Sequence, residues 1–326
     1  MFSTPGPQRV SCLALALVLI GACSAPGEQA SSTTPPSTGP TQTTSSPAPT
    51  QTTQAPVRDV RFDADRALRA VHLLAGRIGP REATSDAFDR AATVVARRFE
   101  SRGYDVSEPT FTVPAGVSWG VPVPEGRTRN VVAAPETLEQ GDRYLLVGAH
   151  LDTVPQAPGA EDNASGVATL LELARVASHE QTRLPVVFVA FGAEEPRGEG
   201  DDWHHFGSRS FVSRMSGADR RSLAAMVSLD RVGVGYAVPV CDGGVTDAAV
   251  AGDLRRAGRN ADVPVTSCGV NQSSDHWSFE RAGLPAARVG STAYPQYHSA
   301  ADRPPVVDRG QLRRVGMLMW KYLTQQ

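Results

Sequence analysis

The sequence of 326 residues predicts an α/β fold of three layers, an α/β/α sandwich with a mostly parallel central sheet and helices on both faces. Two observations predict it. Short apolar runs alternate along the chain with longer stretches of helical periodicity, the pattern of strands joined by crossover helices. The runs 144–148 and 185–191 are apolar almost throughout instead of alternating, as strands buried on both faces are. With 40% hydrophobic residues the chain has the material for a core of that size.

The elements follow in order. Thr84 or Ser85 caps a helix whose apolar face carries Phe88, Ala91, Val95 and Phe99 and which ends at Gly103. Residues 129–133 and 144–148 read as strands, 165–176 as a helix and 185–191 as a continuous buried strand. Then come a strand at 224–229, a helix at 247–259, a strand at 284–289 and a closing helix at 309–323.

The N-terminal region reads differently. Arg9 precedes a short apolar run from Val10 to Ile20, too short to cross a bilayer and suited to a signal peptide. Ile20-Gly21-Ala22-Cys23 resembles the bacterial lipobox, so residues 1–22 are expected to be removed and Cys23 to carry lipid, with plain secretion as the alternative. Residues 23–57 are dominated by Ser, Thr and Pro and form a disordered tether, because they cannot bury enough apolar surface to fold. The folded domain is 58–326. Localisation on the outer face of the cell membrane leaves Cys241 and Cys268 in an oxidising compartment, where a disulfide is favoured over two free thiols. The net charge of -2 and the lack of a basic tract give no case for a nucleic-acid partner.

Ionisable residues gather at the ends of the strands. The run at 144–149 ends in His150-Leu151-Asp152, the run at 185–191 in Glu194-Glu195, and that at 224–229 in Asp230. The run at 284–289 leads through a loop to Tyr297-His298, and Asp162 opens the helix at 165–176. The carboxyl ends of strands are where α/β sheets bind ligands. Singly, each residue has an ordinary explanation: a surface His, a solvated Glu pair, an acid at a helix N-terminus. Together, converging carboxylates repel unless cations lie between them. Three carboxylates and two imidazoles facing two Zn²⁺ leave one positive charge, which a hydroxide cancels.

The series His150-Leu151-Asp152, Asp162-Asn163-Ala164-Ser165-Gly166, Glu194-Glu195, Asp230 and Tyr297-His298 resembles the secreted bacterial dizinc aminopeptidases, and Ser274-Asp275-His276 extends the resemblance. It implies a phosphorylase/hydrolase-like zinc exopeptidase fold with two zinc ions per chain, acting on peptides with a free N-terminus through a zinc-bridged hydroxide. Asp162 would bridge the metals, His150 and Asp230 would complete one, and Glu195 and His298 the other. Glu194 would be the general base, Asp152 would orient His150, and Tyr297 would donate to the developing oxyanion. Arg231 stands where that family more often has an apolar residue. The loop 196–206, with Asp201, Asp202, His204 and His205, reads as a solvated rim.

Three other readings compete. Gly116-Val117-Ser118-Trp119-Gly120 matches a serine-hydrolase elbow, but Val121-Pro122-Val123-Pro124 follows where a helix would have to begin. Glutaminyl cyclases share the fold and much of the ligand set. A surface lipoprotein that only binds peptides would need a missing catalytic group, and none is missing.

Overall fold

The computed structural model describes residues 61–325. The signal segment 1–22, the lipidation site Cys23 and the tether 23–57 lie outside the described residues. The described residues begin with α1 (Ala64–Val71) and α2 (Asp86–Glu100), followed by β1 (Tyr104–Ser107), β2 (Thr110–Val113), β3 (Gly116–Ser118), β4 (Val121–Val123), β5 (Gly126–Arg129) and β6 (Val131–Pro135). Next come β7 (Tyr144–His150), α3 (Gly166–Ala177), β8 (Val186–Phe191), α4 (Phe206–Arg214), α5 (Gly217–Ser222) and β9 (Leu223–Asp230). The last part holds β10 (Val238–Asp242), α6 (Ala249–Asn260), β11 (Val265–Val270), α7 (His276–Glu280), β12 (Ala286–Gly290) and α8 (Arg309–Thr324).

Eight strands form one sheet in the order β1-β6-β8-β7-β9-β12-β10-β11. Its centre, β8-β7-β9-β12, is parallel, while β6 and β10 run against their central neighbours. Because successive side chains point to opposite faces, β7 feeds two cores. Leu145, Val147 and Ala149 join the larger one, with α1, α2, α3, α6 and α8. Tyr144 and Leu146 join the smaller, with Phe211 of α4 and Phe279 of α7. Helices therefore cover both faces, as the apolar strands require.

Ser85 is the cap of α2, its hydroxyl accepting from the Phe88 N–H at 3.1 Å. The helix stops at Glu100, and Gly103, at φ 80°, turns the chain into β1. The expected strand at 129–133 is broken in two, because Asn130 leaves the ladder: its amide donates to the Gly207 carbonyl at 2.9 Å and accepts from the Gly192 N–H at 3.0 Å. Gly116–Ser118 and Val121–Val123 form a hairpin, with Trp119 and Gly120 at its turn in left-handed conformation and no helix following. Cys241 and Cys268 are joined, with Cα atoms 5.1 Å apart, tying β10 to β11 at the sheet's edge. No helix among the described residues is long and apolar enough to cross a membrane.

Candidate metal centre

The parallel register places the strand tips side by side. β7 ends on His150 next to Phe191, the last residue of β8, and β9 ends on Asp230 next to Gly290 of β12. Glu194 and Glu195 lie just past β8, and Tyr297-His298 in the loop after β12. All five metal-type residues foreseen from the sequence are buried and face one another. His150 Nε2 is 3.1 Å from Asp162 Oδ1, 3.6 Å from Asp230 Oδ1 and 3.9 Å from Glu194 Oε2. His298 Nε2 is 3.1 Å from Asp162 Oδ2 and 3.3 Å from Glu195 Oε2. Asp162 thus stands between the two imidazoles, one oxygen toward each. Two groups, His150–Asp162–Glu195 and His150–Glu194–Asp230, bring ligand atoms within 4.8 Å of one another.

Supporting bonds aim these groups. The Asp152 carboxylate accepts from the backbone N–H of Glu194 and of Glu195, both at 3.0 Å, and lies 3.7 Å from His150 Nδ1. One carboxylate therefore sets the positions of both glutamates and faces the imidazole from behind. Asp302 accepts from the Glu161 N–H at 2.9 Å and the Asp162 N–H at 3.2 Å, fixing the loop that carries Asp162. Asn163 ties that loop to β9, its amide donating to the Leu229 carbonyl at 2.9 Å. Arg81, fully buried, donates to the carbonyls of Leu151 and Pro158 at 2.9 and 2.7 Å and so holds the chain leaving His150.

The electrostatics suit cations. Burial, with neighbouring carboxylates adding to it, pushes Glu194 and Glu195 up to about 8. Although burial opposes it, His150 and His298 hold Asp162 below the usual carboxylate range, and Arg288 holds Asp230 down at about 2. Glu195 Oε1 and Asp230 Oδ1 are buried without a hydrogen-bond partner among the described residues. Buried acceptors with nothing to accept from are costly. Divalent ions bound by oxygen and imidazole would satisfy them, so the residues present fit zinc.

Tyr297 and the loop 196–206 border this cluster. Tyr297 is 37% exposed, its ring stacked on His298 at 3.6 Å between centroids. Burial and Asp162 push its phenol above the usual range, so it stays protonated and able to donate. The loop 196–206 divides. Asp201 and Asp202 are exposed at the rim, but His205 is buried, its Nε2 3.2 Å from Glu194 Oε1. Its N–H donates to the Glu194 carbonyl at 2.9 Å, which draws it inside. The serine of the rejected elbow is buried with no hydrogen-bond partner among the described residues, whereas its neighbour Trp119 reaches the centre, 4.3 Å from the His298 ring. Sequence reading missed Asp302, Glu161, Arg81 and Trp119, and only the cluster of small residues around Trp119 signalled a turn.

A sandwich of this topology is the fold of known zinc aminopeptidases. The structure of BSAP, a zinc aminopeptidase from Bacillus subtilis, superposes with a TM-score of 0.71 at 19% identity, over 81% of this chain and 95% of that one. A glutaminyl cyclase from Bacteroides thetaiotaomicron superposes with a TM-score of 0.69 at 20% identity, over 82% and 99%. Likeness at such identity speaks for the fold. The pattern of Peptidase family M28 matches residues 130–323, and the chain belongs to that family. Aminopeptidase YwaD of Bacillus subtilis is 28% identical over 200 residues, covering 58% of this chain and 42% of that protein. The chain thus spans about two fifths of that relative's length.

Proposed function

We propose that the protein is an exported zinc aminopeptidase that removes the first residue from peptides with a free N-terminus. The observation that carries this is the pair of imidazoles facing opposite oxygens of Asp162, with Glu195 and Asp230 alongside, in a member of Peptidase family M28. In this reading Asp162 would be shared by two zinc ions, with His150 and Asp230 holding one and Glu195 and His298 the other. Zinc bound there would polarise the scissile carbonyl and acidify a water.

The chain's own groups do the rest. Glu194 takes the proton of the attacking water and returns it to the leaving amine. Asp152 holds the glutamate pair and His150 in register. Tyr297 donates to the oxygen on which charge develops. The acidic cluster receives the substrate's ammonium. Export rests on the signal-like segment and on the Cys241–Cys268 bond, which suits an oxidising compartment. Anchoring through Cys23, whose neighbours resemble a lipobox, places the domain 58–326 at the outer face of the membrane on a tether.

Elemental analysis of the purified protein should find about two divalent ions per chain, and chelation should abolish activity. A peptide beginning with Gln should lose one residue, and its N-acetylated form should be untouched. Loss of ammonia with the chain length unchanged would replace the peptidase by a glutaminyl cyclase, and an active protein without stoichiometric metal would remove the zinc assignment.

A further inference from the structure

Two arginines flank Asp230, and they are spent differently. Arg288 is fully buried. Its Nη2 meets Asp230 Oδ2 at 2.9 Å, and its Nη1 donates to Asn271 Oδ1 at 3.0 Å and to the carbonyl and hydroxyl of Ser273 at 3.0 and 2.9 Å. That guanidinium already compensates Asp230. Arg231 adds only a looser ion pair, its Nε 3.9 Å from Asp230 Oδ1 and beyond hydrogen-bond range. Its side chain makes one long hydrogen bond, from Nη2 to Ser291 Oγ at 3.3 Å. Nη1 makes none among the described residues, and the side chain keeps 13% of its surface open.

The position of Arg231 is fixed from both ends. Its backbone is left-handed, φ 57°, with the N–H donating to Asn163 Oδ1 at 3.2 Å. Its guanidinium lies over the Tyr297 ring, 4.7 Å from the centroid. Tyr297 in turn stacks on His298, and Trp119 stands 5.7 Å from Tyr297. A cation with open donors is therefore laid on the aromatic wall beside the metal-type cluster. A guanidinium held over a ring is a preorganised fork for a carboxylate.

We propose that Arg231 reads a carboxylate on the substrate close to the scissile bond. The carboxylate comes either from an acidic N-terminal side chain or from the C-terminus of a dipeptide. This rests on the aminopeptidase reading above. An apolar residue at this position would favour apolar first residues; a guanidinium with an unspent donor penalises them and rewards an anion.

The test compares kcat/KM on the zinc-loaded protein for two matched pairs. Glu-Ala-amide against Met-Ala-amide reads the side chain, and Leu-Ala against Leu-Ala-amide reads the terminus. In one pair the carboxylate form should be preferred by about ten- to hundredfold, the scale of a charge-assisted bond. Arg231→Gln should bring that ratio toward one, and Arg231→Lys, which keeps the charge without the fork, should restore part of it. The pair that responds identifies the source. Ratios near one in the wild type, or a ratio that survives Arg231→Gln, overturn the proposal. If none of the four is cleaved, the peptidase reading falls. Calorimetric binding of the same four compounds then still judges Arg231, since a carboxylate preference lost in Arg231→Gln supports it and equal binding rejects it.

Discussion

On the sheet side of the centre, Asp152 takes the N–H groups of Glu194 and Glu195 at 3.0 Å, and Asp302 takes those of Glu161 and Asp162. Across the mouth, Trp119, Tyr297 and Arg231 are held by ring contacts of 4.7–5.7 Å and by a hydrogen bond of 3.3 Å. The first half is buried and tied to backbone, so its carboxylates keep their directions whatever approaches. The second half is partly exposed and tied through side-chain faces, which can yield to a substrate. Reaction demands fixed geometry, while accommodation of varied side chains does not. The division predicts that substitutions on the sheet side act on turnover and metal, and substitutions on the rim act on binding.

The largest expected effect is at Glu194. Glu194→Gln should lower kcat by roughly 10²–10⁴-fold with metal content unchanged, read by steady-state kinetics beside elemental analysis. A near-normal kcat would break the comparison at its centre. Next is Asp152→Ala, which leaves two N–H groups unheld and removes the carboxylate behind His150, whose Nδ1 keeps only the Asp152 backbone carbonyl at 3.2 Å. Metal affinity should fall roughly 10–100-fold, measured by competition with a chromophoric chelator. If affinity holds while only KM rises, Asp152 belongs with the rim.

The metal-type residues at the strand ends were readable in the sequence and the long-range contacts around them were not, for a physical reason. A strand delivers its last residue to the sheet's edge, so His150 and Asp230 follow from an apolar run ending in a ligand-type residue. Glu194 and Glu195 sit one short turn further, and Asp162 lies in the loop that opens α3. Each inference needs only local pattern, and the parallel register does the rest. Rim contacts depend on long-range chain reversals. Trp119 reaches His298 because the Val117 N–H donates to the Arg197 carbonyl at 3.0 Å, an approach that a Cβ on Gly116 would block, since it would stand 1.8 Å from that oxygen. His205 was hidden in the same way. Its Gly-spaced, charged surroundings resemble a solvated loop, and only the bond to the Glu194 carbonyl brings it inside. The strand expected at 129–133 failed because Asn130 has side-chain partners in Gly192 and Gly207, residues distant in sequence.

The smallest effect, and the sharpest test of the division, belongs to Trp119. Its indole is more than half exposed, stands 4.3 Å from the His298 ring and makes edge contact with Tyr297. The hairpin beneath it is clamped independently of the ring: Arg197 Nε donates to the Pro114 carbonyl at 2.7 Å, and Nη2 donates to that of Pro124. Removing the indole therefore leaves the turn in place and deletes only an aromatic face from the mouth. An aromatic contact of this kind contributes about 0.5–1.5 kcal/mol beyond its buried area, so Trp119→Ala should raise KM roughly two- to tenfold with kcat and metal content little changed. A fall in kcat of the size expected for Glu194→Gln would mean that Trp119 fixes the direction of His298. The rim would then be part of the rigid half, and its softness a property of its surface alone.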